Sequence, residues 1–229
     1  MAGRPTLTRL FCSAFAVVAT MSCSGGGAQH TPAAPETAAL ALPAPNLDGT
    51  ASLELVLSLR RSVREFTAEP LRRDQIGQLL WAGQGITGPG DLRTAPSAGA
   101  RYPLDLYTVS ANELLHYVPH GHRADVRASR DLRPDLADAA LGQDAVRSAP
   151  TVIVIAASPS RTASRYGART DDYVRLEAGH VAQNILLEAT AIGLGAVPIG
   201  AFDRNRVRDL LALARDQVVI YLIPVGHPR

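Results

Sequence analysis

The sequence predicts an α+β domain with a central mixed sheet and long flanking helices. Thr151 to Ala157 is a wholly apolar run rich in β-branched residues, which is typical of a buried central strand. Residues 171–192 repeat apolar side chains at helical spacing. The strand-like and helix-like blocks mix without the strict strand–helix–strand alternation of a parallel sheet, and this favours α+β.

Residues 1–23 are predicted to be a targeting segment outside the fold. Arg4 and Arg9 give it a positive start, and residues 10–18 form an apolar run that is too short to span a bilayer, as in a secretory signal. The segment ends in Thr-Met-Ser-Cys, which is similar to a bacterial lipobox in which Cys23 becomes lipidated. Cleavage near Ala28 and a retained cytoplasmic N-terminus are the alternatives.

Residues 24–51 are predicted to be a flexible tether, because they are rich in Gly, Ala and Pro and cannot bury a core. The domain would then span residues 52–229. The sequence has two cysteines, Cys12 and Cys23, so the domain contains no disulfide, Cys nucleophile or Cys metal ligand. We expect an exported protein held at the membrane by a lipid anchor only, with a secreted soluble protein as the alternative.

The composition is that of an ordinary globular domain, with 46% apolar and 19% charged residues. The formal net charge is +2 and the arginines are scattered, so the overall charge does not indicate a nucleic-acid partner. Function therefore has to be inferred from local groups of residues.

Two helices and a strand pair are predicted in the first half of the domain. Apolar residues within 53–59 recur at helical spacing after Ser52, which can cap the helix. A second helix over residues 71–82 keeps its apolar side chains on one side and ends at two glycines. After a loop rich in Gly, Pro and Ser, residues 104–110 and 114–118 alternate as paired strands.

The second half is predicted to hold three helices and three strands. A short helix over residues 135–141 precedes the apolar strand. The long helix begins at an Asp-Asp pair, runs to about Ile192 and ends at closely spaced glycines. A short strand over residues 196–199 follows. Asp203 can cap a helix that runs through Leu213, and residues 218–225 are predicted to be the last buried strand.

A cluster of arginines directly follows the first predicted helix. Arg60, Arg61 and Arg64 surround Ser62, so three guanidinium groups and a hydroxyl lie within five residues. Planar donors with a positive charge are what a phosphate monoester needs. The alternative interpretation is a solvated basic turn.

Two further segments combine small residues with a stiff backbone. Residues 95–103, Ala-Pro-Ser-Ala-Gly-Ala-Arg-Tyr-Pro, could let a flat ring lie against the backbone, although such a segment is equally a loop before a strand. Residues 193–202, Gly-Leu-Gly-Ala-Val-Pro-Ile-Gly-Ala-Phe, form a tight strand entry with exposed backbone donors.

Two groups of residues could suggest a metal, and we predict none. Glu177 and His180 form a Glu-x-x-His pair and share a helix face with Asn184, but no second pair completes a carboxylate site, which favours a buried polar contact or a subunit interface. Three histidines at positions 116, 120 and 122 could be considered as zinc ligands, but they fall in a loop after a strand, and a solvated loop is the preferred interpretation.

Together, in order and spacing, these segments resemble the nitroreductase superfamily. The Pro-Ser-Ala-Gly-Ala-x-Tyr-Pro run at residues 96–103 and the Glu-Ala-Gly-His-x-x-Gln-Asn helix at residues 177–184 look like its SagB-type, thiazoline-oxidase-like branch. The resemblance covers residues 52–228. It implies an α+β sheet with long central helices, in an intertwined homodimer that holds two FMN molecules at its interface.

The resemblance also implies a role for each motif residue. Arg60, Arg61 and Ser62 would hold the FMN phosphate and ribityl chain. Arg64 would reach the N1/C2 carbonyl edge, where positive charge stabilises the anionic reduced flavin. The residues that would line the flavin ring are Pro96, Ser97, Ala98 and Gly99. The residues whose backbone would lie near flavin N5 are Ile199, Gly200 and Ala201.

This sequence departs from the family pattern in three places. Ala100 stands where classical nitroreductases have an Asn that contacts the flavin. Arg101-Tyr102 is the nearest equivalent of the Lys-Tyr pair in azole-forming members, so Tyr102 is the catalytic candidate, and a Tyr pKa near 10 suits it to donate a proton. Arg229 is the candidate for the basic residue that the family places near its C-terminus, and the dimer is expected to lack the family's C-terminal arm.

The sequence leaves three functions open. The first is an FMN-dependent dehydrogenase that moves hydride from a small-molecule or peptide substrate to flavin N5. The second is an NAD(P)H-dependent nitro- or quinone reductase, which an export signal disfavours because reduced nicotinamide is scarce outside the cytoplasm. The third is a non-enzymatic flavin-binding or scaffold protein.

Overall fold

The computed structural model describes residues 38–229, and the predicted signal segment with Cys23 lies outside the described residues. In this part of the chain the centre is a seven-stranded sheet. Its strands are β1 (Ala39–Ala41), β2 (Leu104–Ser110), β3 (Leu114–Val118), β4 (Arg123–Ala128), β5 (Thr151–Ala157), β6 (Gly195–Ala196) and β7 (Val218–Gly226). They lie in the order β1-β4-β3-β2-β5-β7-β6 with antiparallel pairings.

Helices cover both faces of the sheet. They are α1 (Leu53–Leu59), α2 (Arg73–Gln84), α3 (Arg133–Ala139), α4 (Asp144–Ser148), α5 (Ser160–Tyr166), α6 (Thr170–Ala191) and α7 (Arg204–Leu210). One apolar core lies between the sheet and the pair α2 and α6, and a second lies between the sheet and α3, α4 and α7. The predicted α+β class is confirmed.

The apolar run of β5 follows from its position between these two cores. Ile153 and Ile155 pack in the core of α2 and α6, whereas Val152 and Val154 pack in the core on the opposite face. Successive side chains of a strand point to opposite faces, so a strand with two covered faces needs apolar residues at every position. All seven residues of β5 are buried.

The predicted helix caps hold at α1 and α7. Ser52 accepts a hydrogen bond from the Leu55 N–H at 3.2 Å, and Asp203 accepts from the N–H groups of Asn205 and Arg206, both at 3.0 Å. The long helix α6 starts differently, because Thr170 is its first residue and Arg169 before it makes no side-chain cap. The Asp-Asp pair lies inside the first turn, where negative charge favours the helix N-terminus.

The ordered fold starts earlier than Ser52. Composition places residues 38–51 in the tether, but β1 pairs with β4, and the Asn46 backbone exchanges two hydrogen bonds with the side chain of Gln78 on α2. His122 Nε2 lies 2.9 Å from the Pro43 carbonyl. A strand of three residues is held in place by its pairing with the neighbouring strand, and it is too short to show an alternation of apolar and polar side chains in the sequence.

Several elements between residues 119 and 172 have no counterpart among the predicted helices and strands. They are β4, α4 and α5, together with a short 3-10 turn at Gly167–Arg169. In β4, Arg123 and Asp125 pair on the same face and remove the apolar alternation that identifies a strand. The helices α4 and α5 span five and seven residues, too few for a helical repeat to show.

Candidate functional site

The arginine cluster lies on the edge of the sheet. Ser62 forms a parallel bridge with Ala196 of β6, and the Val63 N–H donates to the Ala196 carbonyl at 3.1 Å. Gly195 permits this approach, because a Cβ there would lie 2.6 Å from the Val63 side chain. Backbone contacts therefore fix the segment of residues 60–64, and its arginine side chains are not needed to hold it in place.

The guanidinium groups of this segment are available to a ligand. Arg61 and Arg64 are exposed and Arg60 is half-buried. Within residues 38–229, none of the three forms a salt bridge with a carboxylate. Arg61 donates to the Ser58 carbonyl at 2.9 Å, and Arg64 reaches the Ser62 carbonyl at 3.4 Å. Unneutralised guanidinium groups beside an exposed hydroxyl fit the phosphate of FMN.

The last residues of the chain run alongside this segment. The Thr67 N–H donates to the His227 carbonyl at 2.9 Å, and the Arg229 N–H donates to the Glu65 carbonyl at 3.3 Å. Arg229 is the candidate for an additional phosphate-binding residue, and this backbone hydrogen bond places it next to the arginine cluster.

The predicted flavin N5 contact follows β6. The Ile199 N–H donates to the Leu222 carbonyl at 2.8 Å and is committed to β7. Gly200 and Ala201 are exposed, and the Ala201 carbonyl accepts from the Gln143 side chain at 2.7 Å. Of the three predicted residues, Gly200 and Ala201 thus have the N–H groups that a ligand can reach.

The predicted ring-lining loop is strained. Gly99, Ala100 and Tyr102 have φ angles of 59°, 52° and 45°, in the left-handed region that side chains disfavour. A Cβ at Gly99 would lie 2.8 Å from the Tyr166 hydroxyl, so a larger residue there would have to displace the end of that side chain and adopt the disfavoured φ. Ser97 holds the turn, because its hydroxyl accepts from the Tyr102 N–H at 2.8 Å.

Four contacts hold Tyr102 in place. Besides the Ser97 contact, its carbonyl accepts from Arg161 at 3.2 Å and its hydroxyl accepts from the Arg93 N–H at 3.3 Å. The Arg93 guanidinium also lies over the Tyr102 ring, 4.4 Å from its centroid. Because the phenol oxygen accepts a hydrogen bond, its own proton stays available for donation.

The raised pKa of Glu177 was not predicted from the sequence. Glu177 is 3% exposed, and its Oε1 atom has no hydrogen-bond partner among the described residues. Burial raises the pKa of Glu177 from its ordinary value of 4.5 to about 7, against the opposing effects of Ser97 and Arg93. The available signal was a carboxylate within the apolar stripe of α6, between Val174 and Ala178.

The structure does not bring all the predicted flavin contacts together on one chain. Ser62 lies against Ala196, which pairs with Val225 near the end of β7. The ring-lining loop leads into the first residue of β2, which lines up across β5 with Val218, the first residue of β7. Seven residues of strand separate these two levels, about 23 Å. A single flavin ring cannot contact both segments of the same chain.

The two groups considered as metal sites have separate contacts. Glu177 is buried, whereas His180 is exposed, so they do not share one environment. His116 faces Asp105, His120 faces Asp91, and His122 lies between Tyr117 and Pro43. No group of three His, Cys, Asp or Glu side chains suited to a metal occurs among residues 38–229.

The comparisons with known proteins agree with this fold. The Nitroreductase family model matches residues 57–227. A nitroreductase-like protein of Methanocaldococcus jannaschii is 41% identical over 181 residues, which cover 76% of this chain and 90% of that protein. A crystal structure of a nitroreductase-like protein of Ralstonia eutropha has a TM-score of 0.77 and 30% identity, with 83% of this chain and 90% of that chain covered.

The name of a third relative includes NADPH and FMN. The structure of the NADPH:FMN oxidoreductase of Vibrio harveyi in complex with NAD⁺ has a TM-score of 0.57 and 25% identity, and covers 77% of this chain and 68% of that chain. The present chain belongs to the nitroreductase family. It is a flavin-dependent oxidoreductase of that family.

Proposed function

We propose that this protein is an FMN-dependent oxidoreductase that moves hydride between an organic substrate and the flavin, with the phosphate held by residues 60–64. The observation that carries the proposal is the docking of this segment on β6. Three guanidinium groups that have no acidic partner among residues 38–229 lie there, at the same sheet edge as the exposed backbone of Gly200 and Ala201.

The protein residues bind and orient the cofactor. When bound, FMN supplies a ring that accepts or gives hydride. Arg60, Arg61 and Ser62 would bind the phosphate, and Arg64 would place positive charge beside the ring, which favours its reduced form. The Gly200 and Ala201 N–H groups would orient the ring edge, and Tyr102 would donate a proton to the substrate.

A purified fragment of residues 38–229 tests the cofactor directly. After addition and removal of excess FMN, the visible spectrum should keep the flavin bands, and the double variant Arg60→Ala/Arg64→Ala should lose them. The double variant Arg127→Ala/Arg130→Ala, which removes two exposed arginines at the opposite part of the sheet, should retain flavin like the wild type. Equal retention by both variants would remove the phosphate assignment.

We further infer that the working unit is a homodimer with two composite sites. The separation of the arginine cluster from the ring-lining loop supports a site in which each segment comes from a different copy. Helix α1 supports this too, because Leu53, Leu55, Leu57 and Leu59 are 49–60% exposed. Four exposed leucines on a single short helix indicate an interaction surface.

The favoured branch is the SagB-type dehydrogenase, on the strength of the Pro-Ser-Ala-Gly-Ala-x-Tyr-Pro and Glu-Ala-Gly-His-x-x-Gln-Asn motifs. The second candidate is an NAD(P)H-dependent reductase, which the name of the Vibrio harveyi relative favours. Anaerobic addition of NADPH separates the two. Rapid bleaching of the flavin spectrum identifies a nicotinamide-dependent reductase, whereas an unchanged spectrum favours the dehydrogenase.

We also propose that the protein is exported and anchored through a lipid on Cys23. The support is the composition of residues 1–23 alone. In the described residues 38–229, no helix has the length and apolar character to cross a membrane. Detergent partition of the full chain tests the anchor: the wild type should enter the detergent phase and Cys23→Ser should stay in the aqueous phase.

A further inference from the structure

A largely buried carboxylate lies on β2 directly after the ring-lining loop. Asp105 is the second residue of β2, and its side chain is 13% exposed. Its neighbours Leu104 and Leu106 pack in the core of α2 and α6, so the Asp105 side chain lies on the opposite face of the sheet. Removing a carboxylate from water is costly, so the groups that contact this one are informative.

Donors from other parts of the fold converge on Asp105. Arg161 of α5 donates from Nη1 to Oδ1 at 3.1 Å and from Nη2 to Oδ2 at 3.0 Å, the paired geometry that suits a guanidinium and a carboxylate. Gln217, which precedes β7, donates to Oδ2 at 2.9 Å, and the Ser158 hydroxyl reaches the same oxygen at 3.4 Å. His116 of β3 lies further away, with Nε2 3.8 Å from Oδ1. Asp105 therefore fixes the Arg161 guanidinium in one position.

The same guanidinium also contacts the ring-lining loop. Arg161 Nη1 donates to the Tyr102 carbonyl at 3.2 Å, and no other donor to this carbonyl occurs among residues 38–229. The adjoining backbone is held as well, because the Ser158 N–H donates to the Pro103 carbonyl at 2.8 Å. The start of α5 thus holds the two residues that lead from the loop into β2.

Tyr102 needs this support because its backbone is strained. Its φ of 45° lies in the left-handed region, which a residue with a side chain keeps only where its surroundings hold it. The Ser97 contact comes from within the loop, and Arg93 belongs to the segment just before it. Of the contacts that hold Tyr102, the one from Arg161 is the one that connects it to a helix.

We propose that Arg161, fixed by Asp105, is a positioning residue of the ring-lining loop, and that it holds the turn of residues 99–102 in the conformation that presents Tyr102 to the flavin. This proposal rests on the proposed function, since that function assigns the loop to the flavin ring. The planar guanidinium suits this role because its donors, at fixed spacing, reach a carbonyl and both oxygens of a carboxylate at once. A buried ion pair adds little net stability, but it can fix one arrangement of the groups around it.

Hydrogen exchange at the Tyr102 amide tests this without a flavin, because that amide is bonded to Ser97 Oγ only while the turn is closed. In Arg161→Ala the protection factor should fall at least about tenfold, since a hydrogen bond from a charged group is lost. Asp105→Asn, which keeps the shape without the charge, should cause a smaller fall. The double variant Asp105→Asn/Arg161→Ala should fall no further than Arg161→Ala, because Asp105 acts through Arg161.

The double variant also serves if Arg161→Ala alone fails to fold, because it leaves no unpaired charge buried. Arg73→Ala is the matched control: Arg73 of α2 donates to Glu113 at 2.6 Å, a long-range ion pair beside the far end of β2. This variant should keep the wild-type protection of Tyr102. The proposal is overturned by wild-type protection in the variants that lack Arg161, by an equal fall in Arg73→Ala, or by a double variant whose loss is the sum of the two single losses.

FMN affinity separates this proposal from the proposed function. In fluorescence quenching, Arg161→Ala should bind FMN at least about fivefold more weakly than the wild type, because a loop that is ordered only on binding costs affinity. Arg73→Ala should bind FMN as tightly as the wild type. An Arg161→Ala variant with wild-type affinity would overturn the positioning role. If the wild type binds no FMN, the proposed function fails, and the exchange data alone decide whether Arg161 holds the loop.

Chemical rescue distinguishes positioning from a general loss of structure. The Arg161 side chain is 44% exposed, so methylguanidinium can reach Asp105 from solvent once that side chain is removed. At millimolar concentration it should restore Tyr102 protection and FMN binding in Arg161→Ala but not in the double variant, which lacks the carboxylate. No rescue, or equal rescue of both variants, would overturn the positioning role.

Discussion

The buried carboxyl of Glu177 should make the stability of the protein depend on pH in a defined direction. Its pKa is raised from 4.5 to about 7 in the folded state. The folded chain therefore holds this proton more tightly than the unfolded chain, so the stabilising contribution is complete below pH 4.5 and is lost as the pH rises through 7. The difference of 2.5 pKa units corresponds to about 3 kcal/mol of unfolding free energy.

The variant Glu177→Gln isolates this effect. Near pH 5 it should match the wild type, because a neutral amide replaces a mostly neutral acid. At pH 8 it should be more stable than the wild type by about 2–3 kcal/mol, since the amide avoids the burial of a charge. Urea unfolding followed by the fluorescence of Trp81, the single tryptophan, measures both values.

The difference between the two proteins is the informative quantity, since other groups titrate in both. Glu188→Gln serves as the control for a second carboxyl on the same helix whose pKa is also raised. Parallel stability curves for the wild type and Glu177→Gln from pH 5 to pH 8 would refute the reasoning, because they would show that Glu177 is not held neutral by burial.

Three further predictions concern the loop, a helix cap and the proposed dimer. In thermal melts, Gly99→Ala should lower the unfolding free energy by about 1–3 kcal/mol, because alanine disfavours the positive φ of Gly99 and its Cβ would crowd the Tyr166 hydroxyl. The control Gly179→Ala, on the open face of α6, should be neutral or stabilising by up to about 1 kcal/mol. Asp203→Ala should cost about 1 kcal/mol by removing the cap of α7, and an unchanged melting temperature would contradict that role. Leu57→Glu should convert the dimer to a folded monomer in light scattering, because Leu57 is 52% exposed and its loss leaves the core intact; a dimer that persists would exclude this face of α1.

The sequence predicts the regular parts of the fold closely, for physical reasons that the structure makes plain. The bounds of β2, β3 and β5 agree with the predicted strands, because alternation and β-branched runs directly reflect which faces of a strand are covered. The caps Ser52 and Asp203 act locally, within three residues of the helix they start, so a single short motif is sufficient. Elements stabilised by distant partners, such as β1, leave no such local pattern.

The site is predictable only in part. The phosphate candidates at residues 60–64 are adjacent in sequence, so their chemistry is visible in the motif itself. The hydrogen bond from Arg161 of α5 to the Tyr102 carbonyl joins a helix to a loop far from it along the chain, and no local pattern connects them. The same limit applies to the geometry of the site, since the distance between Ser62 and Ser97 depends on the order of the strands.

A mixing experiment tests the central claim most directly, namely that the flavin site combines the arginine cluster of one copy with the ring-lining loop of another. One inactive chain carries Arg60→Ala/Arg64→Ala, and the other carries Gly99→Val, whose side chain would collide with Tyr166. Each alone should retain no FMN. Co-expressed in equal amounts, they should retain about a quarter of the wild-type flavin, because half of the dimers are mixed and each of these has one intact site. A colourless mixture beside a flavin-bound wild type would contradict the shared site, and a wild type that binds no flavin would contradict the assigned cofactor.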